Sequence, residues 1–463
     1  MARLSSPQGE AEAESVVDIG NLGSAPRLRT FSKKFMPWMT KGGLAILDTA
    51  LISGSNFLLG ILLARWLAPE QYGGYALAFS VYILVAFLYQ TLVLEPLSVF
   101  SGTVYRENIR GYMSTTLWVH LVISVAVFVV LGAAAGVARV LGHSIVLAAA
   151  LAGLTVALPF ILFNALVRRG FYLKMSPGPA AFGAAFYCAL LTAGTFFVYR
   201  QGWLTAFTAF LVMAVGALVS GLVILYMLNL VLEPSGGHPG LRQVWKQHWV
   251  YGRWALAAAA AGWVPNYVYI PLVGSFYGMA MAGELRAVMN LAAPVLQTHA
   301  ALATLFLPLA ARVQHTGGRP AAEALTRRLT MLFVGGAVMY WAVIIAVRQP
   351  LFHFLYAGKY MESAYLIPLF ALETIVWSAS IGPAILLRGM EAPRCLFVAN
   401  CYASTVAVVI GIPATRFFAL RGVVWSMILA NALYVIVAFI LLKRRVSTLK
   451  LPCVNLNEPV AAG

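Results

Sequence analysis

Apolar residues along the chain are gathered into twelve long runs separated by short, more polar connections. Each run is long enough to cross the hydrocarbon core of a bilayer, which takes about 20 residues of α-helix. The runs cover residues 43–66, 73–99, 115–138, 145–167, 179–199, 203–232, 252–275, 284–310, 329–348, 362–387, 395–415 and 421–442. This pattern predicts an all-α integral membrane protein with twelve transmembrane helices.

The composition supports that interpretation. Of the 463 residues, 61% are hydrophobic and 10% are charged, whereas soluble domains carry about 25% charged residues. A soluble enzyme, a disordered chain and a disulfide-stabilised secreted domain are therefore excluded. The sequence contains neither a phosphate-binding loop nor an H-E-x-x-H motif, and its histidines and cysteines are scattered. We expect no enzymatic activity, no cofactor and no metal site.

The distribution of positive charge fixes the orientation. The net charge is +17, which by itself suggests a nucleic-acid partner. With the amino terminus placed inside, however, 24 of the 32 Lys and Arg residues fall on the inner side and 8 on the outer side. Cytoplasmic loops of membrane proteins carry such an excess. Both termini are therefore predicted to be cytoplasmic, and nucleic acid is not an expected partner.

A weak internal repeat divides the chain into two halves of six spans each. A shift of 210 residues superposes Gly42 on Gly252, Asn56 on Asn266 and Gly73 on Gly283. Because both halves start inside, they are expected to be parallel repeats forming two six-helix lobes. The predicted divisions are a disordered basic leader (1–41), the first lobe (42–232), a cytoplasmic linker (233–251), the second lobe (252–443) and a cytoplasmic tail (444–463).

Three carboxylates fall within the predicted spans, at different depths. Asp48 and Glu95 lie near cytoplasmic ends, whereas Glu373 lies near the middle of the tenth span. A charge at the centre of a span costs ~2.5–3.5 kcal/mol on insertion scales. We therefore expect only Glu373 to need a functional explanation or a partner, and it is the candidate for ion coupling. The alternative is a hydrogen-bonded carboxylate that serves packing alone.

Amides, hydroxyls and aromatic side chains form stripes along several spans at helical spacing. The amides in these stripes are candidate substrate contacts: Asn56, Asn266, Asn290 and Gln297. Converging polar groups suit a hydroxyl-rich ligand such as a sugar, while the alternative is hydrogen bonding between helices, worth ~0.6 kcal/mol on average.

Pro265, Pro271 and Pro294 predict kinks in the seventh and eighth spans.

Three arginines are candidates for holding a pyrophosphate by bidentate hydrogen bonds. Arg169 and Arg388 lie at equivalent inner ends of the two halves, at the predicted cytoplasmic mouth. For these two, ordinary anchoring at the inner interface is the alternative. That alternative does not cover Arg286, which lies near the outer start of the eighth span.

Four stretches resemble one known family. They are Ala64-Arg65-Trp66-Leu67-Ala68-Pro69-Glu70-Gln71-Tyr72-Gly73, Leu94-Glu95-Pro96-Leu97, Met289-Asn290-Leu291-Ala292-Ala293-Pro294 and Leu387-Arg388-Gly389. The family is that of the bacterial polysaccharide flippases, which export O-antigen and exopolysaccharide units and belong to the multidrug/oligosaccharidyl-lipid/polysaccharide (MOP) superfamily. The resemblance covers about residues 40–445.

The resemblance implies two lobes forming a V around a cavity that opens alternately to either side of the bacterial inner membrane. It implies a substrate of undecaprenyl-pyrophosphate-linked oligosaccharide, with membrane lipids and glycan assembly machinery such as a polymerase as partners. Two alternatives stay open. One is a MATE-type multidrug or cation antiporter, which requires an acidic cavity, and the other is an integral-membrane glycan polymerase or ligase, which requires a large outer loop.

Overall fold

The computed structural model describes residues 26–141, 144–229, 239–316, 318–390 and 392–447, and the regular structure within these ranges is helical throughout. The first half contains α1 (Pro26–Trp66), α2 (Pro69–Tyr89), a π-helix (Gln90–Leu94), α3 (Glu95–Gly102), α4 (Ile109–Val140), α5 (Ile145–Leu173), α6 (Pro177–Arg200) and α7 (Ala206–Leu228). The second half contains α8 (Leu241–Tyr267), α9 (Tyr269–Tyr277), α10 (Met279–Asn290), α11 (Ala293–Thr316), α12 (Gly318–Ala346), α13 (Arg348–Tyr356), α14 (Ile367–Ser378), α15 (Ile381–Gly389), α16 (Pro393–Val409) and α17 (Gly411–Ser447).

These helices confirm the predicted fold class. In the described part of the chain, ten helical stretches are long and apolar enough to cross a membrane, and the bent pair α8–α9 makes an eleventh. The shorter apolar helix α16 coincides with the eleventh predicted segment. Helix α17 is broken at Ala419, whose φ is +49°, so its first turns belong to the eleventh segment and the rest forms the twelfth. All twelve predicted segments therefore coincide with helices, and the chain is a multi-pass membrane protein.

The predicted boundaries at the ends of the lobes need correction. Helix α1 begins at Pro26, so residues 26–41 are helical and the prediction of a disordered leader is wrong there. Extending an existing helix adds a hydrogen bond for each residue without a new nucleation step. Helix α8 begins at Leu241, within the predicted linker, and α17 continues to Ser447. Residues 1–25, 230–238 and 448–463 lie outside the described ranges.

The predicted proline kinks are confirmed in both spans. Helices α8 and α9 meet at a 45° bend, beside Pro265, because a proline ring removes one backbone hydrogen bond and crowds the preceding turn. Helices α10 and α11 are separated at residues 291–292, just before Pro294. The tenth span is also broken, between α14 and α15 near Pro383, which sequence analysis did not predict.

The π-helix in the second span marks where the second half of the chain packs on the first. Pro96 has no N–H, so the carbonyl of Leu92 lacks its usual partner four residues later. The Nδ1 atom of buried His248 lies 3.0 Å from this carbonyl. Because a carbonyl only accepts, Nδ1 carries the proton, and Nε2 accepts from the Tyr112 hydroxyl at 2.6 Å. The first turns of α8 are thereby fixed to the first lobe.

Candidate functional site

The two lobes touch where α2 crosses α10, close to their predicted outer ends. A Cβ on Gly73 would lie 1.6 Å from the Met279 carbonyl oxygen. A Cβ on Gly283 would lie 2.9 Å from the Pro69 carbonyl oxygen and 3.1 Å from the Gly73 nitrogen. Only glycine permits backbones to approach this closely. The contact closes the seam between the lobes at this end, which the predicted topology places on the outer side.

Arg286 lies one turn further along α10 and faces aromatic side chains of α2. Its Cζ atom is 4.8 Å from the centre of the Phe79 ring, and its charge acts on the hydroxyls of Tyr72 and Tyr75. Its Nε atom is buried and has no hydrogen-bond partner among the described residues. A cation over an aromatic ring is attracted to it, but a buried donor without an acceptor is costly. The guanidinium therefore has neutral partners, including the Tyr72 hydroxyl, and its Nε donor is left for an acceptor such as an anionic ligand.

Asn290 lies on the same face of α10, one turn beyond Arg286. It is 4% exposed, and its Nδ2 atom donates to the Tyr72 hydroxyl at 2.7 Å. A Cβ on Gly60 of α1 would lie 3.0 Å from this Nδ2 atom, so the amide is packed between the lobes. Asn56 lies one turn before Gly60, and its buried Oδ1 atom has no hydrogen-bond partner within the described ranges.

We call the set Tyr72, Phe79, Arg286 and Asn290 the inter-lobe site. Two further predicted contacts are not joined to it by any hydrogen bond that the structure describes. Asn266 donates to the Gly262 carbonyl of its own helix at 2.9 Å. Gln297 is exposed on α11. The structure thus brings together two of the five predicted substrate contacts, Arg286 and Asn290, and the amide of Asn290 already has a partner.

Asp48 overturns the expectation that a shallow carboxylate needs no partner. It is 2% exposed and binds Arg168 of α5 through Nε at 3.1 Å and Nη2 at 2.5 Å. The Tyr172 hydroxyl also donates to it at 2.6 Å. Both nitrogens donate to Oδ1 and Tyr172 donates to Oδ2. This pair joins α1 to α5 inside the first lobe, and the sequence gives no sign of it because the partners lie 120 residues apart.

The predicted cytoplasmic mouth is assembled around a carboxylate. Glu95 interacts electrostatically with Arg169 of the first lobe and with Arg388 of the second. The Nε atom of Arg169 is buried, and the described residues offer it no hydrogen-bond partner, whereas Arg388 is exposed. One carboxylate that interacts with two guanidinium groups leaves a net positive charge at the predicted mouth.

Glu373 lies in the core of the second lobe, away from these arginines. It is 6% exposed, and its carboxylate accepts from Asn431 Nδ2 at 2.6 Å and from the Thr374 hydroxyl at 3.1 Å. No ion pair in the described ranges includes it. A buried carboxyl whose described partners are neutral can gain and lose a proton, as ion coupling requires.

A lysine from the second lobe holds the outer end of α1. Lys359 Nζ donates to the carbonyls of Arg65 at 2.9 Å and Leu67 at 2.7 Å, and the Arg65 guanidinium donates to the Phe354 carbonyl. The ammonium thus lies at the negative end of the helix dipole. Its loop includes Tyr360, whose φ is +61°. Burial lowers the pKa of Lys359 below its ordinary value. We call the contacts of Lys359 with Arg65 and Leu67 the outer latch; the sequence carries no sign of it, because main-chain carbonyls accept both bonds.

Comparison with known proteins identifies the fold. No family model matches the sequence, and no significant match is found among curated proteins. Among solved structures, an inward-facing multidrug resistance MATE family transporter of the MOP superfamily is 16% identical, with a TM-score of 0.67 over 87% of this chain and 98% of its own. The MATE multidrug transporter DinF-BH, solved as a complex, is 16% identical, with a TM-score of 0.63 over 88% and 94%.

A third structure is a MOP superfamily transporter from Pyrococcus furiosus, described as having a binding pocket of reverse polarity that suggests a different function. It is 17% identical, with a TM-score of 0.60 over 88% of this chain and 94% of its own. The chain therefore has the twelve-helix fold of the MATE transporters of the MOP superfamily. At these identities the likeness establishes the fold and leaves the substrate open.

Proposed function

We propose that this protein is an alternating-access transporter that carries lipid-linked oligosaccharides with an anionic pyrophosphate headgroup across the bacterial inner membrane. The observation that carries this proposal is Arg286 in the seam between the lobes, whose buried Nε atom has no hydrogen-bond partner among the described residues. A guanidinium group binds phosphate oxygens through parallel hydrogen bonds. A headgroup bound there would supply the acceptor that Nε lacks.

The partners of the three carboxylates within the predicted spans support an anionic substrate. Asp48 is neutralised by Arg168 inside the first lobe, and Glu373 is enclosed in the second lobe with Asn431. Glu95 interacts electrostatically with two arginines at the predicted mouth. A cationic substrate needs a carboxylate facing it between the lobes, whereas the inter-lobe site presents a guanidinium. Reverse polarity is also the feature stated for the MOP superfamily transporter from Pyrococcus furiosus.

The mouth and the inter-lobe site suggest a route for the headgroup. Arg169 and Arg388 would meet the pyrophosphate at the cytoplasmic side, and Arg286 would hold it between the lobes. The amides of Asn56, Asn266 and Gln297 would contact the sugars. The lipid tail would stay in the bilayer, because a glycan and a pyrophosphate cannot cross hydrocarbon without polar partners. Glu373 would couple the cycle to protons.

A multidrug antiporter is the second candidate. Two of the structural neighbours are described as multidrug transporters, and Arg286 is surrounded by aromatic rings of the kind on which flat drugs stack. A glycan polymerase or ligase is not favoured. The connection between α12 and α14, the longest predicted outer loop, is occupied by α13 and the outer latch.

A transport assay separates these candidates. The full-length protein is reconstituted in liposomes with a fluorescent undecaprenyl-pyrophosphate oligosaccharide in one set and a cationic dye in another. We expect movement of the glycolipid, and a fall of roughly tenfold or more for Arg286→Gln, because a charge-assisted contact to phosphate is removed. Dye transport without glycolipid movement would refute the proposal and favour the multidrug antiporter.

The matched control is Arg421→Gln. Arg421 also lies over an aromatic ring, with Cζ 4.9 Å from the centre of Tyr365, and it is exposed on α17. The substitution removes the same charge and the same kind of contact outside the inter-lobe site. Glycolipid movement should stay at the wild-type rate in this variant.

A further inference from the structure

A separate cavity lies on the second lobe, between the first turns of α12 and the last turns of α17. Its volume is about 720 Å³. On the predicted topology both helix ends lie at the cytoplasmic side, so this groove opens at the level of the inner-leaflet headgroups. We refer to it as the α12–α17 groove. It shares no lining residue with the inter-lobe site.

The polar rim of the groove is positively charged. Arg319, Arg327 and Lys443 line it together with a single acid, Glu323. Glu323 accepts from Arg319 at 2.8 Å within the same helix, and the ion pairs of the described residues leave Arg327 and Lys443 without a carboxylate. Both side chains are exposed. The rim therefore presents two cations, one from each helix, to a ligand between them.

The inner surface of the groove is apolar. Leu442 is 4% exposed and forms part of the floor, while Met331 and Phe439 remain 62% and 37% exposed on the walls. Thr330 also lines the groove, and its buried hydroxyl oxygen has no hydrogen-bond partner among the described residues. Ordinary anchoring of cytoplasmic lysines and arginines does not explain an indented apolar channel between two of them.

We infer that the α12–α17 groove binds an anionic phospholipid of the inner leaflet. The phosphate would lie between Arg327 and Lys443, and the first part of an acyl chain would lie against Met331 and Phe439. Basic pockets between transmembrane helices on the cytoplasmic side have this chemistry, and long basic side chains extend to the headgroup level while their stems cover apolar surface.

The test on the unaltered protein is photocrosslinking in detergent with a photoactivatable phosphatidylglycerol, followed by peptide mass spectrometry. The groove predicts adducts concentrated on residues 318–331 and 439–446. It also predicts competition by unlabelled phosphatidylglycerol that is about tenfold stronger than by phosphatidylcholine. Adducts spread evenly over other spans, or equal competition by the two lipids, would overturn the inference.

Substitutions in the groove test whether its charges and its apolar walls are both needed for lipid binding. The double substitution R327Q/K443Q should reduce the adduct yield about tenfold, and M331W should reduce it by filling the groove while the charges remain. The control R242Q/K246Q removes the same charge from exposed positions at the start of α8 and should leave the yield unchanged. Wild-type yield in R327Q/K443Q, or an equal fall in the control, would show that the groove is not the site.

Discussion

Gly73 and Gly283, which correspond to each other in the internal repeat, are in direct contact where the lobes meet. Their backbones are so close that a Cβ on Gly283 would lie 3.1 Å from the Gly73 nitrogen. One glycine lies on α2 and the other on α10, at helix ends that the predicted topology places on the outer side. Any movement that opens the seam at this end must separate these two backbones.

Replacing Gly73 by alanine should favour separation of the outer ends. The added methyl group would overlap the Met279 carbonyl oxygen, and overpacking of this kind costs ~1–3 kcal/mol, or about 5–150-fold in population. Spin labels at exposed positions 201 and 362, in a background without the four native cysteines, would report the change as a longer distance. Gly136→Ala is the control, because nothing lies within 4 Å of its Cβ position. An unchanged distance in Gly73→Ala would refute the role of the contact.

Because of the outer latch, the equilibrium between the closed and open arrangements of the outer ends should depend on pH in the alkaline range. Burial lowers the pKa of Lys359 in the closed arrangement, whereas opening would expose the ammonium and restore its ordinary pKa. Between the two pKa values the closed state binds fewer protons, so raising the pH through this window favours closure. The same spin-label pair should show more of the short distance as the pH rises. Lys359→Met should remove this response, and a response that persists in that variant must come from another group.

Breaking the Asp48–Arg168 pair should lower the stability of the protein strongly and change its choice of substrate little. Asp48→Ala leaves a guanidinium group that is 14% exposed without its partner, which should lower the free energy of unfolding by about 3–5 kcal/mol. Chemical denaturation in detergent measures this loss. Arg319→Gln breaks an exposed pair whose partners are 48% and 54% exposed, and it should change stability by less than about 1 kcal/mol. Comparable losses in the two variants would contradict a buried structural pair.

Substitution of Glu373 should abolish the coupling of transport to a proton gradient without abolishing transport itself. In Glu373→Gln, an amide oxygen can still accept from Asn431, so the fold should be retained and the melting temperature should change little. Transport driven by an imposed pH gradient should fall to the rate seen without a gradient. If the variant responds to the gradient like the wild type, Glu373 is not the coupling group.

Sequence analysis predicted the twelve helices because the bilayer imposes one strong requirement on each span, a continuous apolar run of sufficient length. The kinks near Pro265 and Pro294 followed from the missing proline N–H. The internal repeat in the sequence aligns Gly73 with Gly283. It does not predict their contact, because the alignment of two halves does not show which helix faces pack against each other.

The remaining features depend on partners that the sequence does not mark. Asp48 was predicted to need no partner because it lies near the end of the first span. Its ion pair with Arg168 depends on which face of α5 turns towards α1, and the sequence does not give that. The latch of Lys359 uses main-chain carbonyls, which carry no sequence signal. Asn266 occupies a predicted polar stripe but donates to its own helix, an outcome that helical spacing cannot distinguish from lining a cavity.

The most direct test of the central claim is equilibrium binding of three glycolipids that carry the same glycan and lipid, joined through a pyrophosphate, a monophosphate or no phosphate. If Arg286 recognises the headgroup, the wild type should bind the pyrophosphate form about tenfold or more tightly than the neutral form. Arg286→Gln should lose that preference, and Arg421→Gln should keep it. Equal affinity of the wild type for all three glycolipids, or an intact preference in Arg286→Gln, would contradict the claim.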